Sequence, residues 1–330
     1  MNALLSLIAV LVLIGLALLG VAGAGWRYLF GVIIPYAAIA TFIVGFVYRI
    51  LKWARSSVPF RIPTTAGQQK TLPWIKSNNL ESPYNVWGVI GRMALEILFF
   101  RSLFRNTKAE LREGPKLVYG SAKWLWIFAL AFHWSFLIIF IRHFKFFAEP
   151  VPSWVLGIQN LDGFFQVGLP VIYLTDLAVV AALTYLVIRR LVLPQIRYIS
   201  LPADFFALFL LLGIAVTGIL MRYFMKTNIE SVKELGTGLL SFHPVVPTDI
   251  GALFFVHLFM VSLLLAFFPF SKLMHLGGVF MSPTRNLANN NRMRRHVNPW
   301  DYPVKVHTYE EYEEEFHDVM KASGLPLEKE

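Results

Sequence analysis

Six apolar stretches, each about twenty residues long, limit what this chain can become more than anything else in it. They run over 3–23, 28–50, 122–144, 167–188, 204–224 and 249–270, and the last can continue to Leu276. A helix needs about 20 mostly apolar residues to cross a bilayer. Inside lipid each segment must pair its own backbone polar groups, which helices do. The expected fold is all-α, a polytopic membrane bundle of six transmembrane helices. Only 15% of residues are charged, against about 25% in soluble domains. There is no cysteine among the 330 residues. That excludes an iron–sulfur cluster held by this chain, a covalently attached c-type haem and any disulfide.

Charge sets the orientation. Lys and Arg number 24 on the side bearing Arg49, segments 52–123 and 189–202 and the tail from 271, against six on the other: Arg27, Arg142, Lys145, Arg222, Lys226 and Lys233. The positive-inside rule then puts both termini in the cytoplasm, in a cytoplasmic (inner) membrane. The net charge of +10 is read as a topology signal with anionic lipid as a secondary partner, not as a nucleic-acid footprint. Four regions follow: two N-terminal spans (1–51), a basic peripheral loop (52–121), a four-helix bundle (122–276) and a polar tail (277–330). Within the loop, 86–104 is apolar but carries Arg92, Glu96 and Arg101. It suits either a helix in the membrane interface or the buried helix of a small extramembrane cap. The first stretch reads as a retained anchor. A signal peptide cleaved near Ala22-Gly23-Ala24 is the alternative, but a basic leader is missing and the apolar run is long. The tail holds an acidic run, 309–315, and His296, His307 and His317. It reads as a solvated extension, with docking of a cytoplasmic subunit as the alternative.

His133, His143, His257 and His275 stand in or beside the apolar runs. Ionisable side chains are costly at membrane depth and usually functional there, and neutral imidazole is a common metal and haem ligand. His133 and His143, ten residues apart, are separated by about 15 Å on a helix, and His257 and His275, eighteen apart, by about 27 Å. The two helices run antiparallel, so His143 matches His257 in depth near the outer face, and His133 matches His275 towards the cytoplasm. The unequal separations require tilt and a kink at Pro269. His243, beside Pro244 and Pro247, is the alternative fourth ligand. The expected product is a dihaem cytochrome b.

The histidine spacings resemble those of the gamma subunit of respiratory nitrate reductase. With the additional N-terminal span, the long basic loop and the stretch Arg142-His143-Phe144-Lys145-Phe146-Phe147, the chain also resembles the DsrM/HmeC-type family, the M subunits of the sulfite-reduction-associated Dsr membrane complex. The cytochrome-like resemblance spans roughly 28–280, and the N-terminal extension and the loop point to the Dsr subtype. It implies two haem b groups, one on His143 and His257 and one on His133 and His275. It also implies a menaquinone-type quinone near the outer haem. The implied partners are a cytoplasmic iron–sulfur K subunit like heterodisulfide reductase, a membrane P subunit, and outer-face cytochrome c J and iron–sulfur O subunits. The chain would then be one subunit of a quinone-linked oxidoreductase of dissimilatory sulfur metabolism.

Around such a site, Arg142 is expected to contact a haem propionate or quinone, with interfacial snorkelling as the alternative. Lys145 and Arg222 are weaker candidates for the same role. Quinol oxidation releases protons, so it needs an acceptor reaching water. Asp176, expected about two turns inside the fourth span, or Glu149, in an outer loop over 146–168, is proposed for it. Asp176 could instead simply pair with Arg222. Gly213, Gly218 and Gly251 would let helices or porphyrin approach closely. A proton-coupled transporter with a histidine relay and a membrane anchor without haem are the competing readings. The first commonly shows inverted repeats, and no repeat is found here.

Overall fold

The computed structural model describes every residue except 59–66, 115, 165–172, 294–302, 304 and 330. Pro59, Pro63, Pro115, His296 and the first part of the expected fourth span lie outside that set. Two helices open the chain. α1 (Asn2–Leu18) runs into a π-helical turn, and a second such turn leads into α2 (Ile34–Ala54), which Pro35 starts from its first turn. α3 (Val86–Phe99) and the short α4 (Arg101–Arg105) follow. Next comes an antiparallel hairpin, β1 (Thr107–Arg112) with β2 (Lys116–Ser121), paired from Thr107↔Ser121 to Arg112↔Lys116. This hairpin is the departure from an all-α fold among the described residues.

α5 (Lys123–His143), α6 (Ser153–Phe164), α7 (Leu174–Val192), α8 (Pro194–Ile199), α9 (Pro202–Ile219), α10 (Ile229–Leu240) and α11 (Ala252–Phe267) build the rest of the bundle. α12 (His275–Gly278), α13 (Pro283–Asn286) and α14 (Tyr309–Ala322) follow. Five helical stretches are long and apolar enough to cross a membrane: Asn2–Gly23, Leu29–Ala54, Lys123–Phe146, Pro202–Met225 and Ala252–Phe270. This is a multi-pass membrane protein. Of the expected fourth span, the described part is α7, whose 19 residues include Asp176, Arg189 and Arg190.

The ends are ordered by cross-links. At one end Ser6 Oγ donates to Pro202 O (2.7 Å), Asn2 Nδ2 to Ser200 O (3.0 Å) and Lys272 Nζ to Asp204 Oδ2 (2.9 Å). At the other, Arg27 Nη1 donates to Thr248 O (2.5 Å) and Tyr36 Oη to Leu239 O (2.8 Å). The end of α11 therefore meets the start of α9, so those two run in opposite directions; Arg142 at the end of α5 likewise meets Asp176 at the start of α7. α7 packs on α5 and α9, α9 on α11, and α1 and α2 cover the far side of α9 and α11. The main core joins Val10, Ala17 and Val21 to Leu210, Phe255, Val256 and Met260.

One approach is too close for a side chain. A Cβ on Gly45 of α2 would lie 2.6 Å from Pro269 Cβ. Gly45→Val is expected to force α2 off the segment after α11 and to cost about 1–3 kcal/mol. A lowered midpoint of thermal unfolding in detergent checks it.

α3 has two unlike faces. Arg92 is buried and donates to Glu81 O (3.2 Å), Leu287 O (3.0 Å) and Arg285 O. Burial, with Arg285 adding to it, pushes its guanidinium below the usual arginine range. Val86, Trp87, Ile90 and Leu98, spaced along the opposite face, are exposed. Asn85 caps the helix by accepting from Gly88 N (2.8 Å), and Phe100 ends it with φ 51°. There Trp126 Nε1 donates to Phe99 O (2.7 Å) and Trp134 Nε1 to Leu98 O (3.0 Å), so α3 ends against a spanning helix.

The polar tail also holds more structure than a solvated extension. Thr308 and Glu311 form a reciprocal capping box that starts α14. Glu313 is buried and accepts from Lys329 N (2.9 Å).

Candidate functional site

His133 and His143 lie on α5, on successive levels of one helix. α11 was expected to continue towards His275, and it does not. Pro269 cannot donate its backbone nitrogen and its ring crowds the preceding turn. The helix gives way to a tight turn, Phe268–Phe270, and Ser271 is extended (φ −117°, ψ 176°). The five-turn alignment of His257 with His275 on one helix is thereby corrected. The break brings His275 to His133, with ring centres 5.9 Å apart and planes 80° to one another.

Each ring has one committed nitrogen. His133 Nδ1 lies 2.7 Å from Ala129 O, His143 Nδ1 2.6 Å from Ile139 O and His275 Nδ1 2.9 Å from Lys272 O. A carbonyl only accepts, so Nδ1 carries the proton in each and Nε2 keeps its lone pair. His257 uses another partner: its Nδ1 lies 2.9 Å from Thr217 Oγ1. Two imidazoles each bound to one metal at about 2 Å hold their ring centres about 6 Å apart. The His133–His275 pair fits that requirement. Among the described residues no three or more His, Asp or Glu side chains gather as a metal site; His133 and His275 meet as a pair, and imidazole is an axial ligand of haem iron.

α5 and α11 are not closely packed on one another; α7 and α9 bridge between them. In the most apolar window of α5 only 6% of residues are buried, against 28–39% in the other four stretches. Gly218 of α9 faces His257, where a Cβ would stand 3.4 Å from the ring's Cε1. Phe100 and Phe132 meet His133 edge-on, each with centres 4.9 Å away. His243 stands apart, exposed in a loop, its Nδ1 2.8 Å from Ser241 O.

Next to His143 lies a buried charge network. Arg142 Nη1 bonds Asp162, Thr175 Oγ1 (3.2 Å) and Asp176 Oδ1 (3.3 Å). The Arg142 and Asp162 side chains are 7% and 2% exposed. Tyr223 Oη donates to Asp176 Oδ2 (2.5 Å), while Arg222 Nε is 3.9 Å away from the same oxygen. Tyr173 is flanked by both guanidiniums, Arg142 at 4.1 Å and Arg222 at 4.0 Å. Among the described residues Arg142 Nε is buried without a hydrogen-bond partner. Asp176 lies in the first turn of α7 rather than two turns inside a span. It pairs with Arg222, as the blander expectation had it, and more tightly with Tyr223.

Glu149 does not join this network. It forms an ion pair with Lys233 of α10 and is 67% exposed. The outer loop over 146–168 contains α6, whose last turns carry Asp162 inward. Lys145 Nζ reaches Gln159 Oε1 (3.1 Å) on the same helix. Ser231 and Asn228 donate to Asp249 and hold its carboxyl below the usual range. Tyr223 and Thr217 were missed by sequence reasoning. A hydroxyl in an apolar run is common, and neither carries a spacing that marks it.

Over 280 residues the chain is 51% identical to an "Hdr-like menaquinol oxidoreductase cytochrome b-like subunit" of Archaeoglobus fulgidus, covering 83% of each chain. A protein of the same description from Archaeoglobus profundus is 40% identical over 275 residues, 81% of each. Residues 85–296, from α3 through His133, His143, His257 and His275, match the nitrate reductase gamma subunit family. With its paired histidines on α5 and around α11, the chain belongs to that family.

Proposed function

We propose that this protein is the cytochrome b-type electron-transfer subunit of a quinone-linked membrane oxidoreductase. In this reading α7 also crosses the membrane, giving six spans with both termini cytoplasmic, and the exposed apolar face of α3 rests in the lipid interface. His133 on α5 with His275 on α12, and His143 on α5 with His257 on α11, hold two haem b groups. Bound haem supplies one-electron transfer between ferric and ferrous iron. The single observation that carries the proposal is the His133–His275 pair, 5.9 Å apart, with both Nδ1 atoms donated to backbone carbonyls.

The chain's own groups supply the rest. Nδ1–H donation fixes each ligand's tautomer and turns Nε2 to the metal. Arg142 Nε is the donor for a propionate or a quinone oxygen. A menaquinone-type quinol gives up two protons with its two electrons near the outer pair. Asp176 Oδ2, linked to Tyr223 Oη, receives a proton there; Glu149 with Lys233 lies further out on the way to water. At the basic, cytoplasmic end an iron–sulfur subunit like heterodisulfide reductase exchanges the electrons. The names of the relatives, the N-terminal span and the basic loop support placing the chain in such a complex. Its assignment to Dsr-type sulfur metabolism belongs to the same proposal.

A reduced-minus-oxidised spectrum of the purified protein tests the reading. A b-type α-band with about two haems per chain is expected, and an iron-free, colourless folded protein overturns it. Asp176→Asn is expected to slow quinol-driven haem reduction and alter its pH dependence. Full-rate reduction with an unchanged pH profile removes Asp176 from the mechanism.

A further inference from the structure

Three of the four candidate ligand histidines, His133, His143 and His275, hold their Nδ1 against a carbonyl of their own segment: Ala129, Ile139 and Lys272. The fourth is different. His257 of α11 reaches across to a neighbouring helix, where Thr217 of α9 places Oγ1 2.9 Å from Nδ1. Thr217's own proton is in use, because Oγ1 lies 2.8 Å from Gly213 O and 3.0 Å from Ile214 O of its own helix. With that proton donated, the hydroxyl can only accept from the imidazole. Thr217 therefore selects the tautomer with the proton on Nδ1 and leaves the Nε2 lone pair free. Gly218, the next residue, keeps the ring edge uncrowded, with a Cβ position 3.4 Å from Cε1.

We infer that Thr217 is the positioning residue of the outer centre: it fixes the tautomer and orientation of His257 and helps to set that centre's potential independently of the inner one. The inference rests on the haem reading given above. A hydrogen bond accepted from Nδ1–H makes the imidazole a more basic ligand. A more basic ligand stabilises ferric over ferrous iron, so removing the acceptor raises the potential. The inner pair has no such lever, because its acceptors are backbone atoms that no side-chain substitution deletes. Because Thr217 is on α9, the orientation of His257 also depends on how α9 seats against α11.

The test is a spectroscopic redox titration of purified Thr217→Val and Thr217→Ser proteins. The outer component is identified as the one missing from His143→Ala. In Thr217→Val that component is expected to rise, and a roughly tenfold change in the ferric-to-ferrous affinity ratio reads as about 59 mV. The inner component stays in place, and Thr217→Ser titrates as wild type. Loss of the outer haem from Thr217→Val with retention in Thr217→Ser supports the same role. The inference is overturned if a haem-loaded Thr217→Val leaves both potentials unmoved or shifts the inner one, or if Thr217→Ser behaves like the valine variant. A wild-type protein without b-type absorption defeats the haem reading itself, and this inference with it.

Discussion

His143→Ala and His257→Ala are each expected to lose one and the same haem, leaving about half the b-type absorbance. His133→Ala and His275→Ala are each expected to lose the other. The pairing is a statement about space, so it is the shared identity of the lost component that tests it. His133 and His275 are 142 residues apart in the chain and 5.9 Å apart between ring centres. One axial imidazole without its partner leaves iron with an open position, and weak retention follows. His243→Ala is expected to lose nothing, because that ring is exposed and tied to Ser241 O (2.8 Å). Haem counts with difference spectra of the five variants check all of this. If His133→Ala and His257→Ala remove the same component, the pairing is wrong.

Arg142→Leu is expected to have the second largest effect, this time on stability. Arg142 joins α5 to α6 through Asp162 and to α7 through Thr175 and Asp176. With the guanidinium gone, Asp162 and Asp176 remain, their side chains 2% and 9% exposed. Arg222 stands 3.9 Å from one of them and is a poor replacement. Removing one partner of a buried ion pair costs about 3–5 kcal/mol, because the charge left behind is uncompensated. Arg142→Leu/Asp162→Asn is expected to lose less than the sum of its single variants, since no orphaned charge remains at position 162. Thermal unfolding of the four proteins in one detergent measures this coupling. A single Arg142→Leu protein as stable as wild type would show that the network carries no structural load.

Much of the site was legible because its key residues violate their surroundings. Imidazoles in or beside apolar runs stand out on composition alone, and antiparallel spans already matched them in depth. Pro269 was legible as a bend. Its consequence was not: α11 ends there, and the chain turns instead of tilting. A helix-stop is local chemistry, whereas the direction of the following segment depends on what it packs against, here Gly45 on α2. Asp162 illustrates the same limit. It sat in what read as a loop, and only the inward face of α6 couples it to Arg142. Arg92 was legible as a polar interruption of an apolar stretch, yet α3 buries that arginine and exposes its apolar side, the reverse of a soluble amphipathic helix.

The amino-acid order by itself determined the apolar helices, the scarcity of charge within them, the four imidazoles and the basic bias of one side. These follow from needs each segment meets alone, chiefly pairing its backbone where no water reaches. The tertiary structure alone decided how closely His133 and His275 approach, that Thr217 serves His257, and that Arg142, Asp162, Asp176 and Tyr223 form one network. Those contacts join residues tens to more than a hundred positions apart. They depend on helix spacing and on the angle of one break, and no local periodicity encodes either.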